Sequence, residues 1–395
     1  MLLLHNSVQS YAWGTVDGLA SLVGSAPTGG HEAELWVGTH PKAPSMVVGD
    51  PSGRSLADVI ASDPARWLGP DLADEGHTSL PFLLKILAIG EPLSLQAHPS
   101  AAEARAGFAR EEAAGVPIEA PERTYRDASP KPESLVALVE TSTLCGFRTP
   151  EEAAALVGAL GVGELAPLIT ALEQSAPVGL HDALAWILGL QGDERSAVAR
   201  KAASAAASQS DSGPHRWMVR LAAEYPGDPS CLAPLLLHVV RLAPGEALHL
   251  PAGNLHAYLE GAGVEIMAAS DNVLRGGLTP KHIDVAELLA ILRFEPGVPA
   301  RPVRADAGPG ITTYDCHEPS FGLTLVEPDL GPVVIEPSGP SLLLATDGAV
   351  DVAGATSGLT LDHGDAAFVA PGEGPLTITG AGRLWWATIG SDLPR

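Results

Sequence analysis

The sequence predicts a mainly β protein with an α insert. Three observations carry this. The 395 residues include 43 Gly and 35 Pro, which favours short strands and turns over long helices. Residues 150–242 change character: Ala, Leu and Glu dominate and apolar positions recur at helical spacing. Beyond residue 300, short apolar runs alternate with Gly/Pro turns.

In the first part, Pro81 to Ile89 (PFLLKILAI) and Leu93 to His98 (LSLQAH) read as strands around a Gly90-Glu91-Pro92 turn. Thr149-Pro150-Glu151-Glu152 has the form of a cap and first helical turn. Further helices are predicted over 181–191, 194–208, 215–225 and 232–241, with Ser204 to Ser212 as a soft linker. Residues 243–275 return to strand and turn chemistry. Thr279 is predicted to cap a helix that runs through Leu292, with Pro280 in its first position. A Pro-rich linker over 296–309 precedes strands at 321–326, 332–336, 341–345, 359–361, 366–369 and 383–389. Trp385 and Trp386 should pack the last strand, one ring on each side.

Composition limits the function. Apolar residues form 46% of the chain, which excludes a disordered polymer. Lys plus Arg is 23 and Asp plus Glu is 47, a net charge of −24. So acidic a chain is a poor general binder of nucleic acid or of anionic membrane. An anionic ligand requires the few cations to be gathered in one place. Cys145, Cys231 and Cys316 lie far apart and form no disulfide framework or Cys-based zinc pattern. No basic leader and no run of about 18 apolar residues is present, so a soluble cytoplasmic protein is expected.

The chemistry concentrates in three strings. Gly245-(five residues)-Pro251-Ala252-Gly253-(two residues)-His256 has the spacing of the second cupin motif, in which a tight turn delivers a His to the interior of a jelly-roll barrel. Tyr258 shares the His256 face. Ser94, Gln96 and His98 alternate with Leu93, Leu95 and Ala97. Their polar face is either solvated outside or satisfied by a ligand inside. Lys131, between Pro130 and Pro132, holds its segment extended ahead of Glu133. Together Gln96, His98, Glu133 and His256 offer two imidazoles, a carboxylate and an amide oxygen, a set suited to zinc, manganese or ferrous iron. His249, between two leucines, reads as a core or rim residue rather than a fifth ligand.

The strings HEAELWVGTHPKAPS (31–45), PFLLKILAIGEPLSLQAHPS (81–100), YRDASPKPES (125–134) and PAGNLHAYLEGAGVEIMAASDNVLRGGLTPKHID (251–284), with the opening QSYAWG, resemble the type I phosphomannose isomerases. The resemblance runs from about residue 5 to 293. It implies two cupin-like jelly-roll β-barrels plus a helical domain: a catalytic unit of 1–149 with 243–299, an insert of 150–242, and a metal-free C-terminal unit of 300–395. It implies a zinc-dependent isomerase of mannose 6-phosphate and fructose 6-phosphate, serving mannose activation or catabolism. One zinc ion per chain would be held by Gln96, His98, Glu133 and His256. The essential arginine falls on Arg275, and Lys85, Ser94, Lys131, Tyr258, Glu265 and Lys281 fall on positions lining the family's site. Glu265 is the candidate base, with Lys131 and Lys281 as rivals. The partner is a small sugar phosphate, and the chain is expected to be a monomer. Two departures stand out. Ser100-Ala101 replaces the family's usual Asp-Lys, and Pro130 stands where His is frequent. The rival readings are a two-His-one-carboxylate iron oxygenase and a non-catalytic sugar-binding or regulatory protein on the same scaffold.

Overall fold

The computed structural model describes residues 1–209 and 213–393. Within them the strands form two ten-stranded antiparallel sheets. One draws its strands from 7–9 through 274–275, and the other mostly from 303–388. Leu2–His5 and Met46–Val47 belong to the second sheet, where Leu2 to Leu4 pair with Phe368 to Ala366. Val264, Ile266, Phe82 and Leu84 of the first sheet share a core with Leu342, Phe368 and Trp385 of the second. Trp386 faces the opposite core, as its alternation with Trp385 requires.

The organising element of the first sheet is the strand His256–Ala268. Its first half pairs with Ser142–Cys145 and with Gln96, and its second half with Phe82–Ile89 and Glu133–Ala137. The register shifts between Tyr258 and Glu260, and Gly261 follows at φ 119°. A Cβ on Gly261 would lie 2.5 Å from Thr141 Oγ1, so only glycine lets the strand bend there against its neighbour. The bend turns Tyr258 and Glu265 toward each other.

The helical segment begins where the sequence places it. Thr149 Oγ1 accepts the Glu152 amide at 3.2 Å and the Glu152 carboxylate accepts the Thr149 amide, a reciprocal cap worth about 1 kcal/mol. Helices follow at Pro150–Gly158, Ala166–Leu172, Val178–Gly189, Gly192–Ala207 and Gly213–Glu224. They bury their apolar faces against Leu95, Ala97, Ala257 and Leu259, the backs of the strands that carry Gln96 and His256. The alternation at 93–98 is thereby resolved: its apolar side is core, and its polar side meets a cavity.

Four local expectations need correction. Residues 232–241 are not one helix. A short turn of helix ends at Leu236, and Leu237–Leu242 is a strand paired with Thr141–Phe147, where the β-branched Val239 and Val240 fit a ladder. The Leu93–His98 strand is only Gln96–Ala97. Thr279-Pro280-Lys281 is a bend rather than a helix start. The helix there is Val285–Ile291, and Asp284 caps it by accepting the Glu287 amide. The stretch 296–309 is not all linker, since Val303–Gly308 is a strand paired with Ile311–Asp315. Of the expected soft linker, 204–207 complete a helix, and 210–212 lie outside the described residues. No helix among the described residues is long and apolar enough to cross a membrane.

Gly261→Ala should lower unfolding stability by about 1–3 kcal/mol through overpacking against Thr141. Urea unfolding with an unchanged m-value checks this. A variant as stable as the parent would show that the bend does not need glycine.

Candidate metal centre and its cavity

His98, Glu133 and His256 come from three separate chain segments and are all almost fully buried. One ligand atom from each lies within 4.8 Å of the others. The Gly245-to-Pro251 strand and turn deliver His256, as the motif requires: Gly253, at φ 76°, turns the chain, and its amide donates to the His98 carbonyl at 2.8 Å. Ser100 ends the His98 strand by capping the helix Ala101–Ala113, with Glu103 completing the reciprocal cap.

Two backbone carbonyls set the tautomers. His98 Nδ1 lies 2.7 Å from the Asn272 carbonyl oxygen, and His256 Nδ1 lies 3.0 Å from that of Asn254. A carbonyl only accepts, so each Nδ1 carries the proton and each Nε2 presents a lone pair. His98 Nε2 and Glu133 Oε2 are buried without a hydrogen-bond partner, a costly arrangement unless a cation occupies the point between them. His98 Nε2 is 3.4 Å from Glu133 Oε1, His256 Nε2 is 3.8 Å from Glu133 Oε2, and the Gln96 amide end is 3.4 Å from His256 Nε2. Burial pushes the Glu133 carboxyl up, but Lys131, His98 and His256 outweigh it and hold the group well below the usual range. Burial and the neighbouring His98 push His256 down to about 4. The centre therefore holds an ionised carboxylate and a neutral His256 at pH 7, the protonation states that metal ligands need.

Glu133 and the neighbouring Gln96 open onto a cavity of about 500 Å³, whose wall does not include His98 or His256. Lys85, Ser94, Gln96, Lys131, Glu133, Tyr258, Glu265, Arg275 and Lys281 all line it, so nearly every residue singled out in the sequence converges there. Lys131 Nζ pairs with Glu133 Oε1 at 3.0 Å. Glu265 is held at both oxygens: Tyr258 donates to Oε1 at 3.0 Å, and Lys85 Nζ lies 3.3 Å from Oε2. Burial pushes Glu265 up to about 7, against the pull of Lys85 and with help from Glu133 and Glu34. Burial and Glu265 push the Tyr258 phenol well up, so it remains a donor. Burial opposes the Lys85 charge, yet Glu34, Glu265 and Glu133 raise its pKa.

Arg275 and Lys281 behave differently. Neither pairs with a carboxylate among the described residues. Burial and Arg126 lower Arg275, and burial, Arg275, Arg126 and Lys42 lower Lys281. Two mutually repelling cations facing a cavity raise the local positive potential there.

Several lining groups escaped the sequence reading. Glu34 pairs with Lys85 at 3.3 Å and accepts from the Trp36 indole, and Lys85 Nζ sits 5.2 Å from the centre of the Trp36 ring. Their spacing of two in Glu34-Leu35-Trp36 was the available signal. Asp271 holds His40 at 3.2 Å and Lys42 at 2.8 Å at the cavity rim. Tyr225, from the helical segment, reaches the cavity wall. His249 contacts Ser134 Oγ and the Glu133 carbonyl through Nδ1 and pairs with Glu318 through Nε2.

Residues 1–150 match the family model for the phosphomannose isomerase type I catalytic domain. The chain is 39% identical to the mannose-6-phosphate isomerase of Escherichia coli (strain K12), over 97% of this chain and 98% of that one. The chain belongs to the type I phosphomannose isomerase family. The Homo sapiens mannose-6-phosphate isomerase is 32% identical over 94% of this chain and 93% of its own. A zinc-bound crystal structure of mannose 6-phosphate isomerase superposes with a TM-score of 0.91, at 35% identity, covering 98% of this chain and 99% of that one. The family's members thus extend over the whole chain, helical segment and second sheet included.

His256→Ala should weaken zinc binding by more than the roughly 10–100-fold typical of groups that only support a ligand. Competition titration of the metal-stripped protein against a chromophoric chelator measures this. An unchanged affinity would remove His256 from the ligand set.

Proposed function

We propose that the chain is a zinc-dependent aldose–ketose isomerase that interconverts D-mannose 6-phosphate and D-fructose 6-phosphate. One observation carries the reading: Glu133 of the His98–Glu133–His256 cluster lines the same cavity as Arg275 and Lys281, cations with no carboxylate partner among the described residues. A metal centre next to an anion site suits a sugar phosphate better than the apolar substrate of an oxygenase. Membership of the family and the zinc-bound relative support the choice of metal and reaction. In this reading each sheet is a cupin-like jelly-roll barrel. Residues 1–149 with 243–299 form the catalytic unit, 150–242 the helical insert, and 300–395 a metal-free unit. The chain works as a cytoplasmic monomer with one zinc ion.

Gln96 would be the fourth ligand, through its amide oxygen. Bound zinc supplies Lewis-acid stabilisation of charge on the reacting oxygens. The chain's residues do the rest. Isomerisation moves a hydrogen between adjacent carbons through an enediol-type intermediate, which requires a base at the carbon and a proton path between two oxygens. Glu265 is the base, because burial keeps its proton affinity near that task and Tyr258 and Lys85 fix its direction. Lys131 is committed to Glu133, and Lys281 stands on the anion wall, so both are weaker candidates. Arg275 and Lys281 hold the phosphate, and Arg275 also meets negative charge that develops on the sugar oxygens. Lys85 and Ser94 line the hydroxyl-bearing face.

Chelation should abolish turnover, and zinc should restore it; full activity in a verified metal-free sample would overturn the metal role. Arg275→Ala should reduce kcat/KM on mannose 6-phosphate by about 100-fold or more, with zinc stoichiometry unchanged. A coupled isomerase assay decides, and unaltered turnover would count against the site. Glu265 works only when deprotonated, so kcat/KM should fall as pH drops through its pKa. That group sits at about 7 without metal, and an added dication lowers it, so the acid limb should lie below pH 7. Glu265→Gln should cost about 10²–10⁴ in kcat and erase that limb from the pH profile.

A further inference from the structure

The segment that carries Lys281 is held from outside the first sheet. After Arg275 the chain runs through Gly276, Gly277 and Leu278 before the bend at Thr279-Pro280-Lys281. Leu278 adopts φ 54°, a left-handed conformation costly for a leucine, while its side chain is buried in the core shared with the helical segment. Such strain persists only where neighbours over-determine it. Here the neighbours are identifiable, and they come from the short turn after the last long helix. The Leu278 amide donates to Asp228 Oδ2 at 2.9 Å. Ser230 Oγ donates to the Gly276 carbonyl at 3.2 Å. At Gly277, φ 121°, an added Cβ would lie 1.9 Å from Ser230 Oγ, so the loop lies directly on this turn. On its other side the loop is tied to the segment bearing Gln96 and His98, through Gly276 N to the Leu95 carbonyl at 2.7 Å and Leu95 N to the Gly277 carbonyl at 3.1 Å.

Asp228 is itself fixed. Its Oδ1 accepts the Ser230 amide at 2.9 Å and pairs with Arg195 at 3.1 Å. The carboxylate is buried and does not line the cavity. Its free acceptor is spent on one backbone amide of a strained turn, three residues before a cation that faces the cavity. That is the geometry of a residue acting through another.

We propose that Asp228 is the positioning residue of the phosphate-binding loop: by holding the Leu278 amide it keeps the left-handed turn that sets Lys281 beside Arg275. The helical segment then has a role in substrate recognition, delivered through the loop. The proposal rests on the reading of Arg275 and Lys281 as the phosphate site.

The test compares Asp228→Ala and Asp228→Asn in the zinc-loaded full chain. Asparagine keeps one acceptor oxygen for the Leu278 amide, while its NH2 group replaces the oxygen that accepts from the Ser230 amide and pairs with Arg195. Asp228→Ala should raise KM for mannose 6-phosphate about tenfold or more, the worth of one bond to a charged acceptor, with kcat and zinc stoichiometry little changed. Asp228→Asn should recover most of that loss. Hydrogen–deuterium exchange of the peptide containing Leu278 should quicken in the alanine variant and not in the asparagine one. Should Asp228→Ala not fold, Ser230→Ala provides the same readouts through the Gly276 contact. An unchanged KM and exchange rate, or equal defects in the alanine and asparagine variants, would overturn the proposal. Arg275→Ala is run alongside. If its KM is unchanged, the phosphate reading fails; if its KM rises while Asp228→Ala is silent, that reading stands and the positioning role falls.

Discussion

The carbonyl oxygens of Asn254 and Asn272 each take the Nδ1 proton of one histidine, and the chemistry of the centre follows from those two hydrogen bonds. They leave the Nε2 lone pairs of His98 and His256 directed at one buried point beside an ionised Glu133. Asn272 does more than offer its carbonyl. It is fully buried, its side-chain amide donates to the carbonyls of Asp127 and Ser129, and its side-chain oxygen accepts the Arg126 amide. One residue thereby joins the segment leading to Lys131 and Glu133 to the segment leading to Arg275. The His98–Glu133–His256 cluster, Lys131 and Arg275 are thereby tied into one frame.

That frame depends on packing that is not itself polar. The helical segment buries apolar side chains on the backs of the ligand strands, and the second sheet does the same behind Val264 and Ile266. Polar groups are therefore confined to the inward faces, where low polarisability strengthens each electrostatic interaction. The same confinement explains why Glu265 is pushed up while Glu133, a few residues away in space, is held down. Glu133 has Lys131 and two imidazoles close by, whereas Glu265 shares Lys85 with Glu34.

Much of this was legible in the residues. The convergence of His98, Glu133 and His256 could be read because each sits in a short string with its own turn or alternation, as with His256 after Pro251-Ala252-Gly253. The C-terminal strands were legible from their apolar runs. What escaped was set by distant partners. Leu237–Leu242 reads as helix by composition, but the open edge of Thr141–Phe147 recruits it as a strand. The expected cap at Thr279 loses to Asp284, because the chain at 276–281 is drawn onto Asp228 and Ser230 and cannot coil. Glu34 and Asp271 meet their cations only because the strand Phe82–Ile89 brings Lys85, and the turn at 41–42 brings Lys42, to them.

The pairing of Leu2 to Leu4 with Ala366 to Phe368 has a consequence for biosynthesis. At about 5–20 residues per second, a ribosome needs roughly 20–70 s to make the partner after the first strand has emerged. Throughout that interval an apolar strand has an unpaired edge, a template for association with other nascent chains. The second sheet can be completed only after residues 366–388 have been made, so shielding of the Leu2–His5 strand, by chaperones or by transient docking on the growing protein, is part of what this topology demands of the cell.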